Sequence, residues 1–141
     1  MEEKQTYSLG PNERLKSRKL IEQLFKEGKT FSVFPLRIYF VVEPIANKKL
    51  PMANLQFGVG VSTKNFKKAV DRNRVKRLIR EAYRLQKNEL KNKLKLNKMH
   101  MNLFFIFTGK ELPSYDLVYE KLTIALQKLL IIADESTEAD T

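Results

Sequence analysis

The apolar positions of the chain change several times between helical spacing and strand spacing. Between Ser17 and Gly28, four apolar residues recur at i, i+1, i+4 and i+5, which places them on one face of a helix. These residues are Leu20, Ile21, Leu24 and Phe25. Ser17 is a suitable N-cap and Gly28 a suitable residue to end the helix, so the pattern predicts an amphipathic helix here.

Strand alternation follows between Pro35 and Pro44. One face carries only apolar side chains: Leu36, Ile38, Phe40 and Val42. The opposite face is mixed: Arg37, Tyr39, Val41 and Glu43. Because an aromatic ring beside a cation can stack on a nucleic-acid base, Tyr39 and Arg37 are candidate binding residues.

A second strand is predicted over residues 55–62. One face carries apolar side chains: Phe57, Val59 and Val61. The opposite face is nearly bare: Gly58, Gly60 and Ser62. Two interpretations of the glycines stay open at this point. They mark a bulge or close packing, or they keep the surface flat so that a nucleic-acid backbone can approach it.

The second half of the chain predicts one further strand and a last helix. Residues 103–109 are apolar almost throughout, which indicates a central strand covered on both faces. The last helix is capped by Ser114 and has a stripe of leucines: Leu122, Leu126, Leu129 and Leu130. Residues 85–99 are very basic and have only weak helical spacing. The order α-β-β-α-β-α predicts a small two-layer α+β sandwich.

The length of the chain indicates one domain, which we place at residues 13–132. A flexible arm is predicted for residues 1–12. The last nine residues, 133–141, carry four acids, no base and no apolar periodicity, so they are predicted to be a disordered tail.

The segment between Ala69 and Leu85 predicts a helix with two different faces. At 100° per residue, five aliphatic residues fall within an arc of about 120°, the usual width of a core-facing stripe. These are Val75, Leu78, Ile79, Ala82 and Leu85. The other side is cationic with one amide: Arg72, Asn73, Lys76, Arg77, Arg80 and Arg84. Arg74 lies at the far border of the apolar arc.

The charge of this region favours a polyanionic partner. The chain has a net charge of +11, and between Lys64 and Lys98 fourteen Lys or Arg residues face three acids. A helix face that is merely solvated normally mixes signs, since like charges at i, i+4 are mildly destabilising. The cations therefore predict binding to phosphates, with a strong dependence on salt. Four polar residues just before the helix are further phosphate candidates, because helix N-termini favour anions: Lys64, Asn65, Lys67 and Lys68.

Several function classes lack the residues that they need. The chain has no cysteine and only one histidine, His100, which excludes disulfides and thiolate metal sites. The acids Asp71 and Glu81 point in different directions on the basic helix, so no carboxylate cluster for a metal-dependent nuclease is predicted, and we assign no catalytic residue. No apolar run is long enough to cross a membrane, and the start lacks a secretory pattern, so we expect a cytoplasmic protein without membrane contact.

The block "FGVGVSTK" followed by Arg72-Asn73-Arg74, Lys76-Arg77 and Arg80-Glu81 resembles the protein subunit of bacterial ribonuclease P. The resemblance covers about residues 14–130. It implies a left-handed β-α-β crossover at the basic helix, which the usual handedness rule would not predict. It also implies the activity of a ribonucleoprotein: an RNA subunit, with Mg²⁺ held mainly by RNA, removes the 5′ leader of precursor tRNA. The implied partners are the catalytic RNA and precursor tRNA, and we identify no protein partner.

The resemblance also assigns roles to residues. The Arg-Asn-Arg helix of the family faces the catalytic RNA, which here implies Arg72, Asn73, Arg74, Lys76, Arg77 and Arg80. In the family, a cleft for the leader is lined by aromatic residues of the first helix and a tyrosine of the first strand, and Phe25 and Tyr39 match these positions. Ile21 stands where the family often has a second phenylalanine, and Thr63-Lys64 stands where it has two lysines. Helical spacing alone places Phe25 in the core, so both interpretations of this residue stay open.

Three functions are compatible with these observations. The first is a non-catalytic subunit of ribonuclease P. The second is a structural RNA-binding protein of ribosomal or RNA-chaperone type that uses the same basic helix. The third is a free-standing protein nuclease, for which the chain is poorly equipped.

Overall fold

The computed structural model describes residues 10–47 and 53–136. Helix α1 (Arg18–Glu27) begins at Ser17, whose Oγ accepts a hydrogen bond from the N–H of Leu20 at 3.3 Å, as predicted. It ends at Gly28, whose N–H donates to the carbonyl of Leu24 at 2.8 Å. The backbone of Gly28 is extended, with φ of −72°, and is not the left-handed form common at helix ends. A Cβ there would collide with the carbonyl oxygen of Leu24, so close packing is what requires glycine.

One four-stranded mixed sheet forms the centre of the fold. Its strands are β1 (Lys29–Val33), β2 (Leu36–Pro44), β3 (Leu55–Val61) and β4 (Met99–Phe107), in the spatial order β1-β2-β4-β3. The β1–β2 and β2–β4 pairs are antiparallel, and the β3–β4 pair is parallel. Eight of the nine residues of β4 are buried, and Ile106 is half-buried. The predicted central, covered strand is therefore confirmed.

Strand β1 is absent from the predicted order. It is a short edge strand in which residues 29, 30 and 32 are exposed, so it has too few buried positions to give a strand pattern. It pairs with β2 in a hairpin, with Lys29 opposite Phe40 and Val33 opposite Leu36.

Three further helices follow: α2 (Ala69–Gln86), α3 (Asn88–Leu96) and α4 (Tyr115–Glu135). The Oγ of Ser114 caps α4 by accepting the N–H of Leu117 at 3.2 Å, as predicted. The weakly helical basic segment forms α3, which is separated from α2 by Lys87. Helices α2 and α3 lie in the connection between the parallel strands β3 and β4, and the predicted left-handedness of this crossover stays a prediction.

Two hydrophobic clusters lie on opposite faces of the sheet. The larger cluster joins residues of α2, α3 and α4 with Ile38, Phe40 and Phe105. The smaller cluster joins α1 with Tyr39 and Phe104, which point to the other face. The predicted α+β class is confirmed, and α1 adds a partial layer on the second face of the sheet.

The predicted tail boundary is wrong by three residues. Helix α4 continues through residues 133–135, because Lys93 pairs with Asp134 at 3.0 Å and the amide of Asn97 donates to the carbonyls of Ala133 and Ser136. At the other end, Pro11–Glu13 form a 3-10 turn at the edge of the predicted arm. Residues 1–9 and 137–141 lie outside the described residues, so the predicted flexibility of arm and tail stays a prediction. Within the described part, no helix is both long and apolar enough to cross a membrane.

Candidate RNA interface

The buried face of α2 differs from the predicted arc at one side. Val75, Ile79 and Ala82 are fully buried, as predicted. Tyr83, which falls within the predicted cationic side, is also fully buried and stacks on Phe57 with ring centroids 3.8 Å apart. Leu85 was predicted to face the core but is 40% exposed. Compared with the predicted arc, the buried face is rotated toward Tyr83 and away from Leu85. The stacked ring of Tyr83 buries more apolar surface than a leucine side chain does.

The opposite side of α2 presents cations to solvent. Asn73, Arg74, Arg77 and Arg80 are exposed. Arg74, Arg77 and Arg80 are here called the α2 cationic surface. Within residues 10–47 and 53–136, none of these three guanidinium groups forms an ion pair with an acid. Their charge is therefore available to an external anion.

Of the other predicted cations of α2, Arg72 and Arg84 bind within the protein, and Lys76 is half-buried. The Nη1 of half-buried Arg72 donates to the carbonyls of Phe66 and Lys67 at 2.8 and 2.9 Å, which ties the start of α2 to the preceding loop. Arg84 pairs with Glu81, with Nη2 and Oε1 at 2.6 Å.

The pair of Arg84 and Glu81 shifts both acidities. The hydrogen bond from Arg84 lowers the pKa of Glu81, and the same bond raises the pKa of Arg84. Both groups therefore stay ionised and the pair is neutral as a whole, so it attracts an anion less than the α2 cationic surface does.

Three of the predicted cleft residues lie together on the outer face of the sheet. The rings of Phe25 and Tyr39 are 4.9 Å apart, and those of Phe25 and Phe104 are 5.1 Å apart, both edge to face. Ile21 packs in the same cluster. Phe25 is 41% exposed, so it is a contact of α1 with the sheet that also presents part of its ring to solvent. Arg37, two residues before Tyr39 on the same strand face, is exposed.

The bare face of β3 accommodates the ring of Phe104. Gly58 lies opposite Phe104 in the parallel pair. A Cβ on Gly58 would lie 2.6 Å from Cδ2 of Phe104, and one on Gly60 would lie 3.1 Å from Cε1. Of the two interpretations of the glycines, close packing is the one that the structure shows.

The loop between β3 and α2 carries the remaining predicted residues. Lys64, Lys67 and Lys68 are exposed, and no side chain caps the N-terminus of α2. The amide nitrogen of Asn65 donates to the carbonyls of Thr108 and Gly109 at 3.3 and 3.4 Å. Asn65 therefore fixes the loop to the end of β4, while the three lysines extend into solvent.

A groove at the edge of β3 contains residues that sequence reasoning missed. It has a volume of about 460 Å³ and is lined by Arg14, Leu15, Lys16, Ile21, Phe57, Gly58, Val59, Arg80 and Phe104. Arg14 bridges to Phe57, and the N–H of Leu15 donates to the carbonyl of Phe57 at 2.8 Å. The bare face of β3 was a signal that a neighbouring side chain fills this space, but no local pattern indicates that residues 14–16 come to this edge.

A buried ion cluster anchors the segment that leads to the groove. The carboxylate of Glu13 accepts hydrogen bonds from Lys87 at 2.8 and 2.9 Å, from Lys91 at 2.9 Å and from the N–H of Gly10 at 2.9 Å. The Lys87 side chain has 0% exposure and that of Glu13 has 12%. Burial by itself raises the pKa of Glu13, but the hydrogen bonds from Lys87, Gly10 and Lys91 outweigh it and lower the pKa to about 2.

His100 is buried and has partners within the fold. Its Nδ1 lies 2.8 Å from the carbonyl oxygen of Ala53, and its Nε2 lies 2.9 Å from Oδ1 of Asn102. His100 therefore has a structural position within the fold. Across residues 10–47 and 53–136, no three histidine, aspartate or glutamate side chains are grouped as a metal site.

Comparison with known proteins shows the family of the chain. A family model described as Ribonuclease P matches residues 9–130. The chain belongs to the ribonuclease P protein family. A relative from Porphyromonas gingivalis, named ribonuclease P protein component, is 39% identical over 126 residues, which are 89% of this chain and 86% of the relative. A relative of the same name from Chlorobium phaeobacteroides is 31% identical over 123 residues, which are 82% and 84% of the two chains.

Solved structures of the family have the same fold. The RNase P protein from Thermotoga maritima is 27% identical, with a TM-score of 0.60 over 82% of this chain and 96% of that chain. The RNase P protein from Staphylococcus aureus, 20% identical, has a TM-score of 0.63 over 82% and 94% of the two chains and supports the fold alone. Family membership makes this chain an RNA-binding protein of tRNA processing, with a role in ribonuclease P and association with its RNA.

Proposed function

We propose that this chain is the protein subunit of a ribonuclease P holoenzyme that grips both the catalytic RNA and the 5′ leader of precursor tRNA. The observation that carries the proposal is the continuity of two chemically different surfaces. The ring of Phe104 contacts Phe25 and also lines the groove at β3, and Arg80 of the α2 cationic surface lines the same groove. One RNA-binding surface therefore extends from Phe25, Tyr39 and Phe104, here called the aromatic cluster, to the α2 cationic surface.

The α2 cationic surface suits the catalytic RNA. Arg74, Arg77 and Arg80 are exposed on a helix whose other face is fixed in the core by Val75 and Ile79. Guanidinium groups bind phosphates with two parallel hydrogen bonds, and a rigid helix keeps their spacing constant. Asn73, exposed on the same side, can both donate to and accept from RNA groups.

The aromatic cluster suits the unpaired leader. Phe25 and Tyr39 present ring surface beside the exposed cation of Arg37, which combines base stacking with attraction of phosphates. Lys64, Lys67 and Lys68 add positive charge in the loop that follows β3. Asn65 takes part by holding this loop, through its bonds to Thr108 and Gly109.

The chemistry of leader removal is assigned to the RNA subunit. Mg²⁺, which activates water and stabilises the leaving oxygen when bound, is expected to be held mainly by RNA. The protein side chains contribute binding and orientation of the precursor, so the reaction is endonucleolytic hydrolysis by the ribonucleoprotein in the cytoplasm. The protein alone is expected to leave precursor tRNA uncut.

One assay separates the three functions compatible with the sequence. Precursor tRNA and Mg²⁺ are incubated with the chain alone, with bacterial ribonuclease P RNA alone, and with both, at near-physiological salt. We expect faster cleavage at the mature 5′ end with both components than with RNA alone. Binding without any change in cleavage would identify a structural RNA-binding protein instead, and cleavage by the chain alone would identify a nuclease.

A pair of substitutions tests the leader surface. Phe25→Leu and Tyr39→Leu keep apolar bulk but remove a ring, and each is expected to weaken binding of precursor tRNA by about tenfold, since stacking on one base is worth roughly 1–3 kcal/mol. Mature tRNA, which has no leader, should bind as before. Equal losses for precursor and mature tRNA would remove both residues from the leader surface.

A further inference from the structure

The two edges of the sheet differ in how they are covered. At the β3 edge the chain covers its own strand, because the N–H of Leu15 donates to the carbonyl of Phe57 at 2.8 Å. At the β1 edge, within residues 10–47 and 53–136, the backbone of β1 forms backbone hydrogen bonds only with β2. One side of β1 therefore offers N–H and C=O groups to a further strand.

Strand β1 has few of the features that normally prevent pairing at an edge. Its register with β2 is continuous from Lys29 to Val33, so no bulge interrupts it. It contains no proline, and its only charged residue is Lys29 at the start. Thr30 and Ser32 are exposed and small. A polypeptide segment can therefore pair with β1 along its whole length.

The turn that follows β1 presents an exposed aromatic ring beside this edge. Phe34 is 73% exposed and belongs to neither hydrophobic cluster of the fold. The next residue, Pro35, is buried, and its carbonyl accepts hydrogen bonds from the N–H and the Oγ1 of Thr108 at 2.8 and 3.1 Å. Because these bonds fix the turn, an apolar side chain can pack on Phe34 at little cost in ordering.

The cations beside β1 favour an acidic partner. Lys29 is exposed at the start of the strand. On the face of the sheet that α4 covers, the Nζ of Lys128 lies 5.5 Å from the ring centroid of Phe31 in the middle of β1. In the part of the chain that the structure describes, neither ammonium group forms an ion pair with an acid. Both charges are therefore available to glutamate or aspartate side chains of a bound strand.

The backbone of the edge favours a polypeptide over RNA. A strand edge alternates N–H and C=O groups, which another strand matches, whereas the phosphates of RNA only accept hydrogen bonds. The edge is also remote from the α2 cationic surface, because α2 packs on β3 through the stacked rings of Tyr83 and Phe57 at the opposite side of the sheet. A protein bound at β1 therefore leaves this surface free.

We propose that β1 is the docking edge for an extended acidic segment of a partner protein, which adds a fifth strand to the four-stranded sheet. Backbone hydrogen bonds to β1 hold the segment, one of its apolar side chains packs on Phe34, and its acidic side chains pair with Lys29 and Lys128. The site does not depend on which RNA the protein binds.

The test uses the full chain and three short synthetic peptides. In the first peptide glutamate and valine alternate, which gives an acidic strand with one apolar face. The second has lysine in place of glutamate, and the third repeats the first with an N-methyl group on every backbone nitrogen, so that it cannot donate to a strand. Binding and its location are followed through the backbone amide signals of the isotope-labelled chain in nuclear magnetic resonance spectra.

We expect the acidic peptide to shift the signals of β1 and to bind with a dissociation constant below about 1 mM. The basic and the methylated peptides should each bind at least about tenfold more weakly. Phe34→Ser should weaken binding of the acidic peptide about fivefold, because it removes the apolar contact. Leu96→Ser is the matched control, since Leu96 is 75% exposed on α3 and should leave binding unchanged.

Several results would overturn the proposal. These are no shift at β1, equal binding of the three peptides, and equal effects of Phe34→Ser and Leu96→Ser. Sedimentation of the chain alone tests a second copy as the occupant, since a dimer that Phe34→Ser dissociates would replace the partner protein. Finally, if Phe34→Ser weakens binding of oligouridylate but not of the acidic peptide, the exposed ring belongs to an RNA site.

Discussion

Two groups of cations, one on α2 and one at the start of α3, have opposite environments. Arg74, Arg77 and Arg80 face solvent without an acidic partner in the part of the chain that the structure describes. Lys87 and Lys91 instead surround the carboxylate of Glu13, and Lys87 is completely buried. The difference shows that charge density alone does not identify a ligand site. The cations that the protein neutralises itself hold its N-terminal segment in place, and those that it leaves exposed are available to RNA.

The largest expected effect concerns Glu13, the carboxylate that pairs with Lys87 and Lys91. Glu13→Gln removes the negative charge and leaves the ammonium group of Lys87 buried without a counter-charge, which should lower the free energy of unfolding by about 3–5 kcal/mol. Urea denaturation at pH 7 measures this. Glu22→Gln is the matched control, because Glu22 pairs with Arg18 on the surface at 3.6 Å and should cost less than about 1 kcal/mol. Equal losses would mean that the cluster is no more important than a surface pair.

The same group predicts a pH dependence. The pKa of Glu13 is about 2 in the folded protein and 4.5 ordinarily, so its stabilising contribution is present above pH 4.5 and is lost as the pH falls toward 2. The difference in unfolding free energy between the parent protein and Glu13→Gln should therefore shrink over this range, by most of about 3 kcal/mol. A difference that stays constant from pH 5 to pH 2 would contradict the lowered pKa.

The exposed arginines of α2 should matter little for stability and much for RNA binding. Arg74→Ala with Arg77→Ala should leave the free energy of unfolding within about 0.5 kcal/mol of the parent value, since neither side chain has an acidic partner to lose. It should also weaken binding of ribonuclease P RNA and reduce the salt slope by about two units. Lys121→Gln with Lys128→Gln on α4 removes the same charge elsewhere and serves as the control. Similar salt slopes for both variants would indicate general attraction instead of a defined surface.

The smallest expected effect concerns Arg84, whose environment is intermediate between those of the two groups of cations. Arg84 is exposed in part but paired with Glu81 at 2.6 Å. Glu81→Gln releases this guanidinium group, so the variant should bind ribonuclease P RNA about threefold more tightly at low salt, as expected for roughly one further phosphate contact. Binding that is unchanged or weaker would show that Arg84 does not face the RNA.

The sequence predicted those parts of the fold that depend on neighbouring residues. The caps at Ser17 and Ser114, the alternation of β2 and the burial of β4 follow from local chemistry, and the structure confirms each of them. Strand β1 escaped prediction because an exposed edge strand needs few apolar residues. The ion pair of Lys87 with Glu13 escaped prediction because the two residues are 74 positions apart in the chain.

The candidate site shows the same limit. Ile21, Phe25 and Tyr39 come together as the resemblance implied, and helical geometry placed Arg77 and Arg80 on the exposed side. Leu85 was placed wrongly, and the burial of Tyr83 was not predicted, because the helix orients toward a ring on β3, which helical periodicity cannot reveal. Arg14, Lys16 and Phe104 join the groove only through the pairing of β3 with β4 and the bridge from Arg14 to Phe57.

The strand order has a consequence for how the chain is made. Both β2 and β3 pair with β4, and β4 begins only at Met99. While a ribosome synthesises the first hundred residues, two apolar strands have emerged without the strand that lies between them. The sheet can form completely only late in synthesis. A nascent chain that stalls before Met99 should therefore expose apolar surface and unpaired strand edges, and should depend on chaperones.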